Sequence, residues 1–165
     1  MSERRELTII GRAEKIGLPD LGALRVPAKI DTGADASSLW ADVAEVREGK
    51  LYVVFFGPGS EFYTGEEHVF EPNEFTVTRV ANSFGQREIR YKVKLRIKVK
   101  KRIINGTFTL ADRSKKLYPI LLGRSLLKHK FLVDVSKGQP LLKEEKERAQ
   151  RLREELGNYS QEADV

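Results

Sequence analysis

The 165-residue chain predicts a mainly β domain with one short internal helix and a helical tail. From Leu7 to Leu142 it runs through short stretches rich in Val, Ile, Phe and Tyr, divided by Gly, Pro, Asn and Asp, which is the punctuation of strands and turns. Within that region YKVKLRIKVK alternates residue by residue: Tyr91, Val93, Leu95, Ile97 and Val99 against Lys92, Lys94, Arg96, Lys98 and Lys100. A period of two gives a strand with one buried and one cationic face. Beyond Pro140 the pattern changes to LLKEEKERAQRLREEL, with opposite charges four apart at Glu144/Arg148 and Glu147/Arg151 and a narrow apolar stripe of Leu142, Ala149, Leu152 and Leu156. This is the pattern of a helix.

In chain order, the first break is Leu18-Pro19-Asp20-Leu21-Gly22. Val26, Ala28 and Ile30 then share one face of a strand that ends at Asp31. Gly57-Pro58-Gly59-Ser60 and Asn82-Ser83-Phe84-Gly85 supply further turns, since Pro presets φ and Gly accepts positive φ. Asn105-Gly106 predicts a type I′ hairpin with Thr107 to Leu110 returning antiparallel. After Pro119 the apolar run ILLG leads into RSLLKHKF, a short helix, and residues 141–156 form the tail helix, with GNYSQEADV frayed beyond it. No internal repeat or low-complexity block is present.

Bulk numbers narrow the function classes. A chain of this length buries about two-thirds of its unfolded surface in one domain, here residues 1–140 with residues 141–165 as the tail. Cysteine is absent, which excludes disulfides, thiolate zinc sites and cysteine nucleophiles. Charged residues precede a short apolar run in MSERRELTII, and no stretch approaches the ~18 apolar residues of a membrane span. The expectation is a soluble, cytoplasmic protein that does not meet a membrane. The net charge of +6 favours acidic partners weakly.

The stretch KIDTGADASSLWA places a carboxylate at the end of an apolar strand and follows it with a hydroxyl and a glycine. Taken alone, Asp31-Thr32-Gly33 is an Asx-type turn as readily as a site. The longer AKIDTGADASSL resembles the active-site loop of retropepsins, the retroviral-type aspartic proteases. Ile120-Leu121-Leu122-Gly123-Arg124 resembles the apolar-Gly-Arg segment before their C-terminal helix, and the two blocks come in the right order. Between them FTVTRVANSFGQREIRY resembles a flap hairpin, and the similarity runs over residues 23 to 132. VPAKIDTGADASSLWA together with LADRSKKLYPILLGRSLL is most similar to a bacterial and archaeal retropepsin-like family often labelled "ATP-dependent zinc protease". The label finds no support in the residues. No phosphate-loop motif is present, and His68 and His129 are the only histidines, outside any zincin pattern. The expected cofactor and metal content is none.

The resemblance implies a retropepsin-like closed β-barrel and an aspartic endopeptidase. In that pattern two carboxylates share one proton, one accepting from water while the other donates to the carbonyl oxygen. The chain has one such loop, and Asp112 lacks its surroundings. A homodimer with Asp31 from each subunit at the axis is therefore implied, acting on a peptide or protein substrate. Thr32 would hydrogen-bond across the dimer, and Gly33, Ala34 and Asp35 would meet the substrate backbone. Arg124 would pair with Asp35, and Ser83, Phe84 and Gly85 would form the tip of a closing flap. Ser125 stands where Asp or Asn is usual, and the flap is poorer in glycine than the pattern. Ser37 and Ser38 lack any triad context. Two other readings stay open: a non-catalytic peptide-binding or assembly module of the same fold, and a basic β-domain that binds nucleic acid through residues 92 to 100. The second is disfavoured, because solvent-facing lysines also guard a sheet against edge pairing and no RNP-type motif is present.

Overall fold

The computed structural model describes residues 6–81 and 84–162. Among the described residues eleven strands, one 3-10 turn (Pro19–Leu21, between β2 and β3) and two α-helices follow one another: β1 (Thr8–Ile10), β2 (Ala13–Leu18), β3 (Ala23–Ile30), β4 (Ser37–Arg47), β5 (Lys50–Phe55), β6 (Glu67–Phe70), β7 (Phe75–Ala81), β8 (Arg87–Val99), β9 (Arg102–Ala111), β10 (Ile120–Leu122), α1 (Arg124–Leu127), β11 (Phe131–Val133) and α2 (Leu142–Glu162). Six strands close on themselves in the order β10-β3-β2-β8-β9-β4, and β4 pairs back onto β10 through Ile120 opposite Leu39. Strands β5 and β6 extend from β4, β7 pairs with β8, and β1 pairs with β11 apart from the barrel.

Alternation fills the interior. Val93, Leu95, Ile97 and Val99 of β8 are buried together with Val26 and Ala28 of β3, Leu39 of β4, Phe108 and Leu110 of β9, and Ile120 and Leu122 of β10. Each such aliphatic or aromatic side chain contributes about 1.5–3 kcal/mol through removal from water. The expected alternation of YKVKLRIKVK holds from Val93 onward, while Tyr91 and Lys92 at its start are both half-buried. Hairpins account for much of the pairing, yet β10–β3 and β4–β9 are parallel, so the barrel is less antiparallel than local turn signals suggest.

Three local expectations need correction. Asn105-Gly106 does not turn the chain; both lie inside β9, where Leu95 faces Gly106 and Arg96 faces Asn105. The β8–β9 turn falls at Lys100-Lys101, with Lys100 at φ 56°. Gly106 is needed for close approach, because a Cβ there would sit 2.7 Å from Leu126 Cδ1 of α1 and 2.9 Å from Phe108 Cε2. The internal helix spans four residues, and Phe131 belongs to β11, which pairs with β1. The tail helix continues through Gly157 to Glu162, past the predicted fraying. Of its stripe residues Leu142, Leu152 and Leu156 are exposed and Ala149 is half-buried.

Candidate active site

Strands β3 and β4 are consecutive in sequence but not neighbours. Strand β10 lies between them, parallel to β3 and antiparallel to β4. The connection, residues 31–36, must therefore arch over the end of β10, and the chain that leaves β10 holds it down. The Asp31 amide donates to Leu122 O (2.9 Å), the Arg124 amide to Ala34 O (2.7 Å) and the Ser125 amide to Asp35 O (3.1 Å). The Gly123 amide donates to Ser37 Oγ (3.0 Å), a buried contact. A Cβ on Gly123 would lie 2.4 Å from Ala36 O and 2.8 Å from Ala34 O. Only glycine lets the two segments meet.

Within the loop, Asp31 Oδ1 accepts the Gly33 N–H at 2.9 Å, and the Ala34 amide donates to Asp31 O at 3.3 Å. The expected Asx turn is present and fixes the carboxylate at the tip. Thr32, Gly33 and Asp35 are exposed, while Ala34 and Asp31 are half-buried. The Arg124 guanidinium donates to Thr32 O at 3.1 Å and forms an ion pair with Asp35. Five of the residues singled out in the sequence, Asp31, Thr32, Gly33, Asp35 and Arg124, thus meet in one bonded unit, with Ala34 inside it.

The remaining candidates lie on the β7–β8 hairpin. Ala81 pairs with Arg87, Phe84 is 87 % exposed at the tip, and Gly85 has φ 75°. Ser83 lies outside the described residues. Asp112 stands apart: its Oδ1 accepts the Ser114 N–H at 2.9 Å, and hydrogen bonds from the Ser114 hydroxyl and then its amide hold the carboxyl below its ordinary value. It builds a turn. The His68 ring packs edge-on against Phe55. Among the described residues no group of three or more His, Cys, Asp or Glu could hold a metal ion, and no helix is long and apolar enough to cross a membrane. Part of the cationic strand face is already engaged. Asp20 accepts from the Arg96 amide (2.7 Å) and Nε (2.9 Å), and Lys100 lies 3.6 Å from the buried Glu14 carboxylate.

Two features escaped the sequence reading. Ser37 anchors Gly123, and its hint was an unexplained pair of serines after the loop. Arg12, Lys29, Arg113 and Lys116 line one cavity, although no local pattern links them.

Residues 9–143 match the model of a family described as RimB-like, retropepsin-like aspartic endopeptidase RimB. A probable alpha-L-glutamate ligase of Desulfotalea psychrophila is 27% identical over 144 residues, which is 81% of this chain and 29% of that protein. One from Shewanella pealeana is 29% identical over 140 residues, 78% of this chain and 28% of that protein. The chain thus spans under a third of the length of these curated relatives. A crystal structure of a Legionella pneumophila protein of unknown function superposes with a TM-score of 0.59 at 29% identity, covering 81% of this chain and 97% of that one.

Proposed function

The chain belongs to the RimB-like family of retropepsin-like aspartic endopeptidases, and from that premise we propose that it cleaves peptide bonds as a homodimer. The observation that carries the proposal is the arched loop. It is pinned to β10 and α1, and it holds the half-buried Asp31 carboxylate on the Gly33 N–H between the exposed Thr32 and Gly33 and the strand end. One fixed carboxylate is half of an acid–base pair. A two-fold axis at the tip supplies the other half.

Two Asp31 carboxylates about 3 Å apart cannot both ionise, so they hold one proton between them. A water bridging them loses a proton to the charged carboxylate as its oxygen attacks the carbonyl carbon, and the protonated carboxyl gives its proton to the carbonyl oxygen. Collapse of the resulting tetrahedral diol breaks the C–N bond, with one proton passing to the departing nitrogen. The Gly33 N–H held by Asp31 keeps the carboxylate oriented. Thr32 joins the two loops across the axis, Gly33, Ala34 and Asp35 receive the substrate backbone, and Arg124 positions Asp35. Phe84 and Gly85, at the end of the β7–β8 hairpin, close over the bound peptide. The name of the curated relatives, alpha-L-glutamate ligases, makes glutamyl-rich peptides the substrate class to test first.

Replacing Asp31 by Asn should abolish cleavage of such peptides, by a factor of about 10³ or more, with melting temperature and sedimentation unchanged. Mixing wild type with D31N at constant total protein should lower activity as the square of the wild-type fraction. A linear fall would show that each chain works alone, and cleavage by D31N itself would overturn the assignment.

A further inference from the structure

A cavity of about 300 Å³ opens between the end of the aspartate loop at Ala36 and Ser37, the start of α1 at Ser125 and Leu126, and the β8–β9 ladder. Strand register builds its ladder side. Phe108 and Leu110 are core residues, so alternation turns Thr107 and Thr109 the other way, and Lys92 of β8 stands opposite Thr109. Lys130, just past α1, also lines the cavity. Its Nζ donates to Leu126 O at 3.4 Å, and an ammonium has further N–H bonds to give.

The lining is rich in donors that the chain itself does not use. Thr109 is 7% exposed, yet its hydroxyl has no hydrogen-bond partner among the described residues and faces the cavity. A buried hydroxyl left in that state is costly. Lys92 and Lys130 are half-buried, and among the described residues neither has a carboxylate within ion-pair distance. No acidic side chain among the described residues lines the cavity. Partly desolvated ammoniums with no counter-charge favour a bound anion.

The chemistry of the donors selects the anion. Carboxylates are read best by a planar, two-pronged guanidinium, and no arginine is part of this lining. Two point-charge ammoniums set among hydroxyls suit a phosphoryl group, whose oxygens accept from several directions. Ala36 and Leu126 give a small apolar wall for a short organic body, in a volume at the lower end of small-molecule sites. No aromatic ring among the described residues lines it, so a nucleobase has no stacking platform.

We propose that this cavity binds a small phosphate monoester, with the phosphoryl group held by Lys92, Lys130 and the Thr109 hydroxyl. The site is separate from the Asp31 carboxylate and does not depend on the endopeptidase reading. It touches Ser37, whose hydroxyl accepts the Gly123 amide, and Ser125, whose amide donates to Asp35 O. A bound ligand therefore braces both supports of the aspartate loop.

Isothermal titration of the full-length protein with glycerol 3-phosphate at fixed ionic strength tests the site. One molecule per chain should bind with a Kd of about 1 mM or tighter, and inorganic phosphate should compete. At about ten times Kd the melting temperature should rise by about 3–6 °C. Lys92→Gln should weaken binding about tenfold or more. Thr109→Val replaces an unpartnered hydroxyl by a methyl, so it should weaken binding severalfold without lowering the melting temperature, and it keeps the test decisive if K92Q folds poorly. Lys94→Gln, two residues along the same strand face and outside the cavity, should change affinity by less than about twofold. No heat of binding at about 10 mM ligand, or glutarate binding as tightly as the monoester, would overturn the assignment. So would equal losses in K94Q and K92Q, which would mark diffuse attraction of polyanions to the strand, and so would a phosphoserine peptide that binds more tightly than glycerol 3-phosphate.

Discussion

At the scale of single residues, Arg124 shows how little energy and how much position one contact can carry. Its ion pair with Asp35 lies in solvent, with side-chain exposures of 47% and 82%, and such a pair is worth about 1 kcal/mol at most. Its second bond, to Thr32 O, ties the loop's own backbone. Replacing Arg124 by Gln should therefore barely move the melting temperature while lowering kcat/KM about 10²-fold, because small misplacements of reacting groups are costly; parallel melting and peptide assays check this. Glu145 makes a pH prediction. Hydrogen bonds from Arg12 hold its carboxyl below the ordinary 4.5, so the unfolded chain binds that proton more readily than the folded one. Its contribution to stability is present in full above about pH 4.5 and is lost as pH falls through the lower folded value. E145Q should flatten the acid limb of a stability–pH curve measured by urea unfolding. The loop and Gly123-Arg124 were legible in the sequence because their residues are contiguous. The cationic cavity was not, since pairing of β2 with β3 and the return of the chain into β10 bring Arg12, Lys29 and Arg113 together from distant positions.

At the scale of elements, the crossing of the loop over Gly123 is the tightest constraint near the site. Gly123→Ala sets a methyl against two backbone carbonyls, which cannot swing aside as side chains do. We expect a loss of about 2–4 kcal/mol or failure to fold, measured by urea unfolding with near-UV circular dichroism as the packing readout. Element types were largely readable: the β8 alternation, the turns at Pro19 and Gly57, the hairpin between β7 and β8 and the tail helix all follow local chemistry. Asn105-Gly106 misled for a physical reason. The dipeptide carries a strong turn signal, but eight consecutive residue pairs, Lys92/Thr109 to Val99/Arg102, fix the register so that the turn falls at Lys100-Lys101. Gly106 is then left to accommodate α1. The short helix stops at Leu127 because Phe131 is drawn into β11 beside β1, a pairing between the two ends of the domain that local sequence does not announce.

At the scale of the whole molecule, barrel closure through β10 explains why the site loop is rigid and why it is incomplete. The pairings that insert β10 between β3 and β4, parallel to the first and antiparallel to the second, join segments far apart in the chain, which local periodicity cannot announce. They leave the half-buried Asp31 at the head of the loop, and the sequence holds no second Asp-Thr-Gly. The proposed function therefore stands on assembly, and a crystal structure of the assembled protein measures it most directly. The account predicts a two-fold dimer in which the two Asp31 carboxylates approach to about 3 Å, within reach of one shared proton and one water. A protein that stays monomeric at concentrations where it cleaves peptides, or a dimer that holds those carboxylates well beyond bridging distance, would contradict it.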